Sequence, residues 1–419
     1  MKKTILAVML FVMTACMVGA GESIRVLCYT SPITEAFKSM IPAFEKETGI
    51  EVNLETMGED QLNQRLIVEF ASDGGINIDV FMTRPMQEGR LMRRNDWYED
   101  LAPYFKDDAE FDFADFSPGS IGSTNIDGVQ TAIPLLADTE VLYYRKDLFE
   151  EKGLKPPATF DEMEKIAELF TDKSKDMYGF VARGQRGPLI TMFSGFLYAY
   201  GGDWYDFKTR KSLVDTPEFL AACKMYGGLL HKYGPPGVLN MSWNQAAVVF
   251  GQGKAAMFTD GSGTFPAIMN PATSPYADKT GVAPMPLGPG PRRVMTGVAW
   301  GFAISKKSGH KDAAWKFIRH MTNKEGTRVV QGDFGVPLSR MSTWEDPEGV
   351  KSFPPELVAA LVDSAPYGLG YDRPLVISVS EARDIIGSAV VAAIEGQDPL
   401  PAIRIAHSRF QELLDREDK

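Results

Sequence analysis

From Ile24 onward the chain alternates short apolar runs with stretches of helical periodicity. Ser23 to Tyr29 reads as a strand. Ile33, Ala36, Phe37, Met40, Ile41 and Phe44 then recur at helical spacing, and Gly49 supplies a stop. Ile50 to Thr56 reads as a second strand, Glu59 to Phe70 as a helix with Leu62, Leu66 and Phe70 on one face, and Ile78 to Met82 as a buried third strand. This order predicts right-handed βαβ units on a mainly parallel sheet. A second cycle starts with a strand at Val141 to Arg145, a short helix capped by Asp147 and stopped by Gly153, and a capping box of Thr159 and Glu162. Thr216-Pro217 starts another helix, with Phe219, Cys223, Tyr226 and Leu230 inward. Gly253 to Phe258 and Val298 to Ile304 read as strands. Helices follow at Lys311 to Met321, Ser380 to Ile394 and Pro399 to Leu414. No internal repeat appears.

Met1 to Ala20 departs from this pattern. Lys2 and Lys3 precede an apolar run from Ile5 to Ala15 and a small-residue end at Val18-Gly19-Ala20, the three parts of an export signal. The run is shorter than the roughly 20 apolar residues that span a bilayer. Cleavage after Ala20 and acylation of Cys16 in Met13-Thr14-Ala15-Cys16 are competing routes; the first is expected, because an acylated Cys16 would leave only a short tether between the membrane and the strand at Ile24. A periplasmic location is expected.

At 419 residues with 44% hydrophobic and 24% charged, the chain is long enough for two cores. A net charge of -11 argues against a nucleic-acid surface, which needs a Lys/Arg excess. Three cysteines are too few for a disulfide scaffold, and no Cys/His cluster has zinc spacing. No phosphate loop, HExxH, GxSxG, GxGxxG or EF-hand motif occurs. The four histidines lie on or beside expected helices, and His231 and His320, near helix C-termini, are read as serving those helix ends. No cofactor, metal or catalytic residue is therefore assigned. A glycosidase with two distant carboxylates is the rival reading, because sequence cannot pair such residues. Outside the helices, Trp204, Trp243 and Trp300 with Tyr29, Tyr367 and Tyr371 offer flat platforms. Such platforms suit the C–H faces of a sugar, and the surrounding Asp, Asn, Gln and Arg suit its hydroxyls.

Leu142 to Phe149, followed by Gly153-Leu154, Pro156-Pro157 and Thr159 to Glu162, closely resembles a segment of the extracellular solute-binding proteins of sugar-type ABC importers. Phe250 to Met257, Gly281 to Pro286, Lys311 to Ile318 and Ala43 to Gly49 resemble the same family, in its order and spacing. The resemblance implies a two-lobed α/β fold of the type II, maltose-binding-protein-like kind, each lobe a mainly parallel sheet flanked by helices. A ligand would sit between the lobes and be trapped by hinge closure. Mapped onto this chain, one lobe holds residues 21–136 and 264–320, the other 137–263 and 321–419. The implied role is that of a non-catalytic, monomeric receptor delivering a small carbohydrate, polyol or acidic sugar to a permease. A sensory binding protein is a further alternative.

Expected ligand contacts from the first lobe are Tyr29, Thr30 and Ser31 after the first strand, and Asp79, Thr83 and Arg84 around the third. Arg183, Trp204, Trp243 and Asp260 come from the second. Gly297, Val298, Trp300 and Arg373 follow from the resemblance, and Tyr371 is added from the aromatic platforms outside the helices. Arg84, Arg183, Arg186 and Arg373 leave room for an acidic ligand. Cys28 and Cys223 fall in different lobes of this scheme. Protein beginning at Gly21, denatured without reductant, should therefore titrate two thiols; finding none would mean that the lobes are bridged.

Overall fold

The computed structural model describes residues 21–72, 77–290 and 295–417, so the expected export signal and Cys16 lie outside the described residues. Among the described residues eleven strands run in chain order: β1 (Ser23–Tyr29), β2 (Glu51–Met57), β3 (Val80–Thr83), β4 (Asn125–Ile126), β5 (Val129–Gln130), β6 (Ile133–Arg145), β7 (Tyr178–Val181), β8 (Ala255–Gly261), β9 (Thr280–Pro284), β10 (Met295–Ile304) and β11 (Gly368–Leu369). All but β4 and β5 join one sheet, whose path is β2-β1-β3-β10-β6-β8-β7. β1 runs parallel to β2 and β3, and β7 parallel to β8. β10 and β6 are antiparallel to their neighbours along the path.

Local chemistry explains the helix ends. Helix Pro32–Thr48 begins with proline at its first position and ends at Gly49, whose φ of 72° few other residues adopt cheaply. Thr159 accepts the Glu162 N–H at the start of helix Phe160–Phe170, while the Glu162 carboxylate reaches back to Ala158 N at 2.8 Å. Helix Leu189–Ala199 is buried on every side. Its apolar residues therefore carry no amphipathic stripe, and the periodicity does not reveal it.

Two large cores result, with a smaller third. The first gathers Val26, Phe37, Leu66, Phe81, Phe302 and Phe317. The second gathers Leu142, Phe193, Tyr226, Ile386 and Phe410, and the third Tyr143, Phe258, Phe265 and Leu357. β6 passes from one half to the other: Ile133 and Leu135 lie in the first core, Leu142 and Tyr143 in the second and third. Cys28 and Cys223 are free, buried and in different cores.

The packing divides the chain differently from the sequence reading in two places. Phe265, Ile268 and Val282, expected in the first half, join the third core because β9 pairs with Val141 to Arg145 of β6. Met321, Val330 and Leu338, expected in the second half, join the first core. The latter segment is fixed by Arg340, a fully buried guanidinium 4.2 Å over the Phe116 ring. It donates to the carbonyls of Thr322 (2.9 Å) and Phe111 (3.0 Å) and to Asp115 Oδ2 (3.0 Å). Substituting Arg340→Ala removes the cation paired with Asp115 and a donor from the carbonyls of Thr322, Phe111 and Asp112. It should lower the unfolding free energy by about 3 to 5 kcal/mol, read from the denaturant midpoint; a loss near zero would show that this anchor is dispensable.

Candidate functional site

A cleft of about 670 Å3 opens between the two halves. Its position follows from an irregularity in the β6/β10 ladder. Ala299 pairs with Ala137 and Gly301 with Pro134, so Leu135 and Leu136 together oppose the single residue Trp300. The extra residue bends β6 at the point where it leaves the first core. Leu135 enters that core while Leu136 and Trp300 line the cleft. Gly301 is required beside the bulge, since a Cβ there would lie 2.6 Å from that of Ala132. Trp300 also meets the Tyr29 ring edge-on at 5.2 Å.

Trp243 enters from the other half. It opens helix Trp243–Gly251, whose start is fixed by the Ser242/Gln245 capping box, and it remains 47% exposed toward the cleft. The polar lining includes Ser31, Glu59, Asp138, Arg183 and Thr264. Arg183 Nε donates to Asp260 Oδ2 at 2.8 Å in a bidentate pair, and Asp260 also accepts the Gly261 N–H at 2.8 Å. Burial opposes the Arg183 charge, but Asp260, with Asp138 and Asp372, offsets this and raises its pKa. Desolvation, with Asp260 adding, raises the Asp138 carboxyl above its ordinary range although Gly263 N donates to it at 3.0 Å.

The expected residues fall into three groups. Ser31, Arg183, Trp243 and Trp300 line the cleft, and Asp260 supports Arg183 from full burial. Tyr29 and Arg84 act one step behind the surface. The Tyr29 hydroxyl donates to Asn63 Oδ1, Asn63 Nδ2 donates to Glu88, and Arg84 pairs with Glu88 and, at 2.8 Å, with Glu59. Arg373 sits on the seam between the halves, paired with Asp372 and donating to Gln87 Oε1 at 2.9 Å. Gly297 and Val298 contribute backbone pairing opposite Thr139 and Asp138.

The remainder do not reach the cleft. Trp204 is fully buried in the second core, its Nε1 donating to the Tyr198 hydroxyl at 2.6 Å. Asp79 lies before β3, not at its carboxyl end, and accepts Arg25 N–H and the Ser308 hydroxyl. Thr83 is buried against the Tyr98 hydroxyl at 2.7 Å, and the Tyr371 hydroxyl donates to Asp203 at 2.7 Å. Thr30 is exposed beside the cleft lining, its N–H bonded to the Met57 carbonyl. Glu59 and Asp138 were missed by the sequence reading. Glu59 follows the carboxyl end of β2, so the strand-end rule applied to β1 and β3 would have found it.

Glu140 lies behind the cleft on β6, fully buried. Thr259 donates to its Oε1 at 3.1 Å, and its Oε2 has no hydrogen-bond partner among the described residues. Gly195 permits this packing, since a Cβ there would stand 2.0 Å from Oε2. Desolvation, with Asp260 adding, pushes the Glu140 carboxyl well above 4.5.

The comparisons with known proteins agree with this geometry. The family model for bacterial extracellular solute-binding proteins matches residues 30–328. The mannitol-binding protein of Pseudomonas aeruginosa is 27% identical over 310 residues, covering 72% of this chain and 70% of that one. The erythritol/L-threitol-binding protein of Mycolicibacterium smegmatis is 28% identical over 348 residues, covering 78% and 72%. Among solved structures, an ABC transporter solute-binding protein from Agrobacterium radiobacter K84 in complex with ribitol has 29% identity and a TM-score of 0.78, covering 94% of this chain and 99% of that one. A maltose-bound T. maritima protein has 28% identity and a TM-score of 0.76, covering 93% and 99%. The fold is the two-lobed, maltose-binding-protein-like one.

The raised Glu140 pKa has a pH signature. Above pH 4.5 the native state retains a proton that the unfolded chain releases, so this residue lowers stability progressively as pH rises toward the folded value. Glu140→Gln should melt higher than the parent at neutral pH, with the gain shrinking toward pH 4.5; a gain independent of pH would show that Glu140 is charged in the fold.

Proposed function

This chain belongs to the bacterial extracellular solute-binding proteins, and on that footing we propose that it is the exported receptor of an ABC importer for a small neutral polyol or sugar. The two lobes close on the ligand about β6 and β10, and the closed form delivers it to the membrane permease. The chain acts as a monomer in the periplasm, its leader removed after Ala20, and performs no chemistry on the ligand.

One observation carries the choice of a neutral ligand. Every arginine that left room for an acidic one already faces a carboxylate: Arg183 pairs with Asp260, Arg84 with Glu88 and Glu59, Arg373 with Asp372, and Arg186 with Asp384. An anion would compete with those partners. A polyol needs fixed donors and acceptors along its hydroxyls and flat surfaces along its carbon chain. Arg183, Asp138, Glu59 and Ser31 supply the first, Trp300 and Trp243 the second. The relatives named for mannitol and for erythritol and threitol, and the ribitol complex, support the same class.

Calorimetry of the mature protein against mannitol, ribitol, erythritol, maltose and glucuronate tests this. We expect saturable binding of at least one neutral compound without product formation, and weaker or no binding of glucuronate. Trp300→Ala should weaken that binding at least about tenfold, a loss of about 1.4 kcal/mol, with the fold retained. Unchanged affinity would remove Trp300 from the site, and turnover would make the protein an enzyme.

A further inference from the structure

The two ends of the cleft differ in chemistry. One end holds Asp138 and Arg183, and the chain after Gly261 runs past it: Gly263 N donates to Asp138 at 3.0 Å and the Thr264 hydroxyl to Asp260 Oδ1 at 3.3 Å. Beyond Thr264 the chain leaves these carboxylates as helix Phe265–Ile268, and Phe265, Met269 and Asn270 line the cleft farther along. Phe334, Val336 and Pro337 line it from the side of the first core. None of these six side chains carries a charge, and Asn270 alone among them has a polar group. Its Oδ1 already accepts the Ala272 N–H at 2.9 Å.

Both apolar walls are set before a ligand arrives. Helix Lys324–Phe334 stops at Gly335, whose φ of 64° is left-handed. The turn after it is pinned by the fully buried Gln331 side chain, which accepts the Leu338 N–H at 3.1 Å and donates to the Thr343 carbonyl at 3.3 Å. Phe334 is thereby held at the helix end with 39% of its surface open. On the other wall the Phe265 ring packs against Phe353 at 5.3 Å, and Phe353 against Trp344 at 5.1 Å. A large apolar side chain left open to water carries a cost that burial against a ligand recovers. Trp243, also exposed on this cleft, enlarges the patch. At about 670 Å3 the cleft has room for more than a short polyol.

A neutral sugar or polyol held at the polar end leaves these walls uncovered. Resting on the receptor role given above, we propose that the apolar end takes an aryl or short alkyl substituent of that sugar or polyol. The ligand class is then a glycoside or ether, its hydroxylated part at Asp138 and Arg183 and its apolar part between Phe334 and Phe265. A second sugar ring fits less well, since its hydroxyl rim would lose hydrogen bonds to water against apolar walls.

Calorimetry on the mature protein compares phenyl glucoside, phenyl galactoside and the phenyl ether of glycerol with their methyl counterparts, and includes maltose, mannitol and ribitol. At least one phenyl compound should bind at least about tenfold tighter than its methyl counterpart. Phe334→Ala should bring that ratio to within about threefold while melting like the parent, and Met269→Ser, on the opposite wall, takes its place if Phe334→Ala unfolds early. Phenyl compounds that bind no tighter than the methyl ones, or do not bind, overturn the inference, while binding of mannitol or ribitol in the same series leaves the receptor role standing. Maltose binding more tightly than phenyl glucoside overturns the apolar substituent in favour of a second ring. A phenyl advantage undiminished in the variant overturns this location, and a series in which no compound binds overturns the receptor role itself.

Discussion

The pairing of β6 with β10 is the constraint on which the rest of the molecule depends. Both strands extend beyond either core, and each pairs partly in one half and partly toward the other. One hydrogen-bonded sheet therefore runs through both halves. The cleft is open above this ladder because the strands are too narrow to fill the space between two cores. The bulge at Leu135 and Leu136 decides which side chains look into that space. A regular ladder would alternate sides without interruption, and Trp300 would then lack its present setting against Tyr29.

Charge is distributed by the same architecture. Near the cleft, positive groups are locked to carboxylates on neighbouring elements, as Arg183 is to Asp260 across β7 and β8. Such a locked pair presents directed hydrogen-bonding capacity with little net field. This suits a ligand rich in hydroxyls and discourages one that carries charge. Glu140 and Asp138 continue the pattern, since burial disfavours their ionised forms beside Asp260.

Much of the fold was legible from residue pattern. The helix ending at Gly49, the Thr159 start and the strands of the first βαβ units all appear near their expected places, because local capping chemistry and periodicity determine them. Helix Leu189–Ala199 was not legible, since a helix buried on all sides shows no face. The membership of residues around Phe265 and Val330 depends on partners far along the chain, which no local signal reports. At the site, Trp243 and Trp300 line the cleft, whereas Trp204, which looked identical to them in sequence, is fully buried. What separates them is a single hydroxyl, that of Tyr198, which satisfies the Trp204 indole N–H inside the core. Asp79 stands at the amino end of β3, just before Val80, and not at the carboxyl end where open sheets bind ligands, so the strand-end rule did not apply to it.

The place of β10 between β3 and β6 also governs how the protein can be made. A chain that emerges from its N-terminus first has β1, β2, β3 and β6 available long before Met295 to Ile304 exists. Until then β3 and β6 have no strand to join them, and the first core lacks Phe302 and Phe317. Contacts of such long sequence separation slow the closure of the sheet. The strand that seals the sheet is thus among the last that the chain supplies.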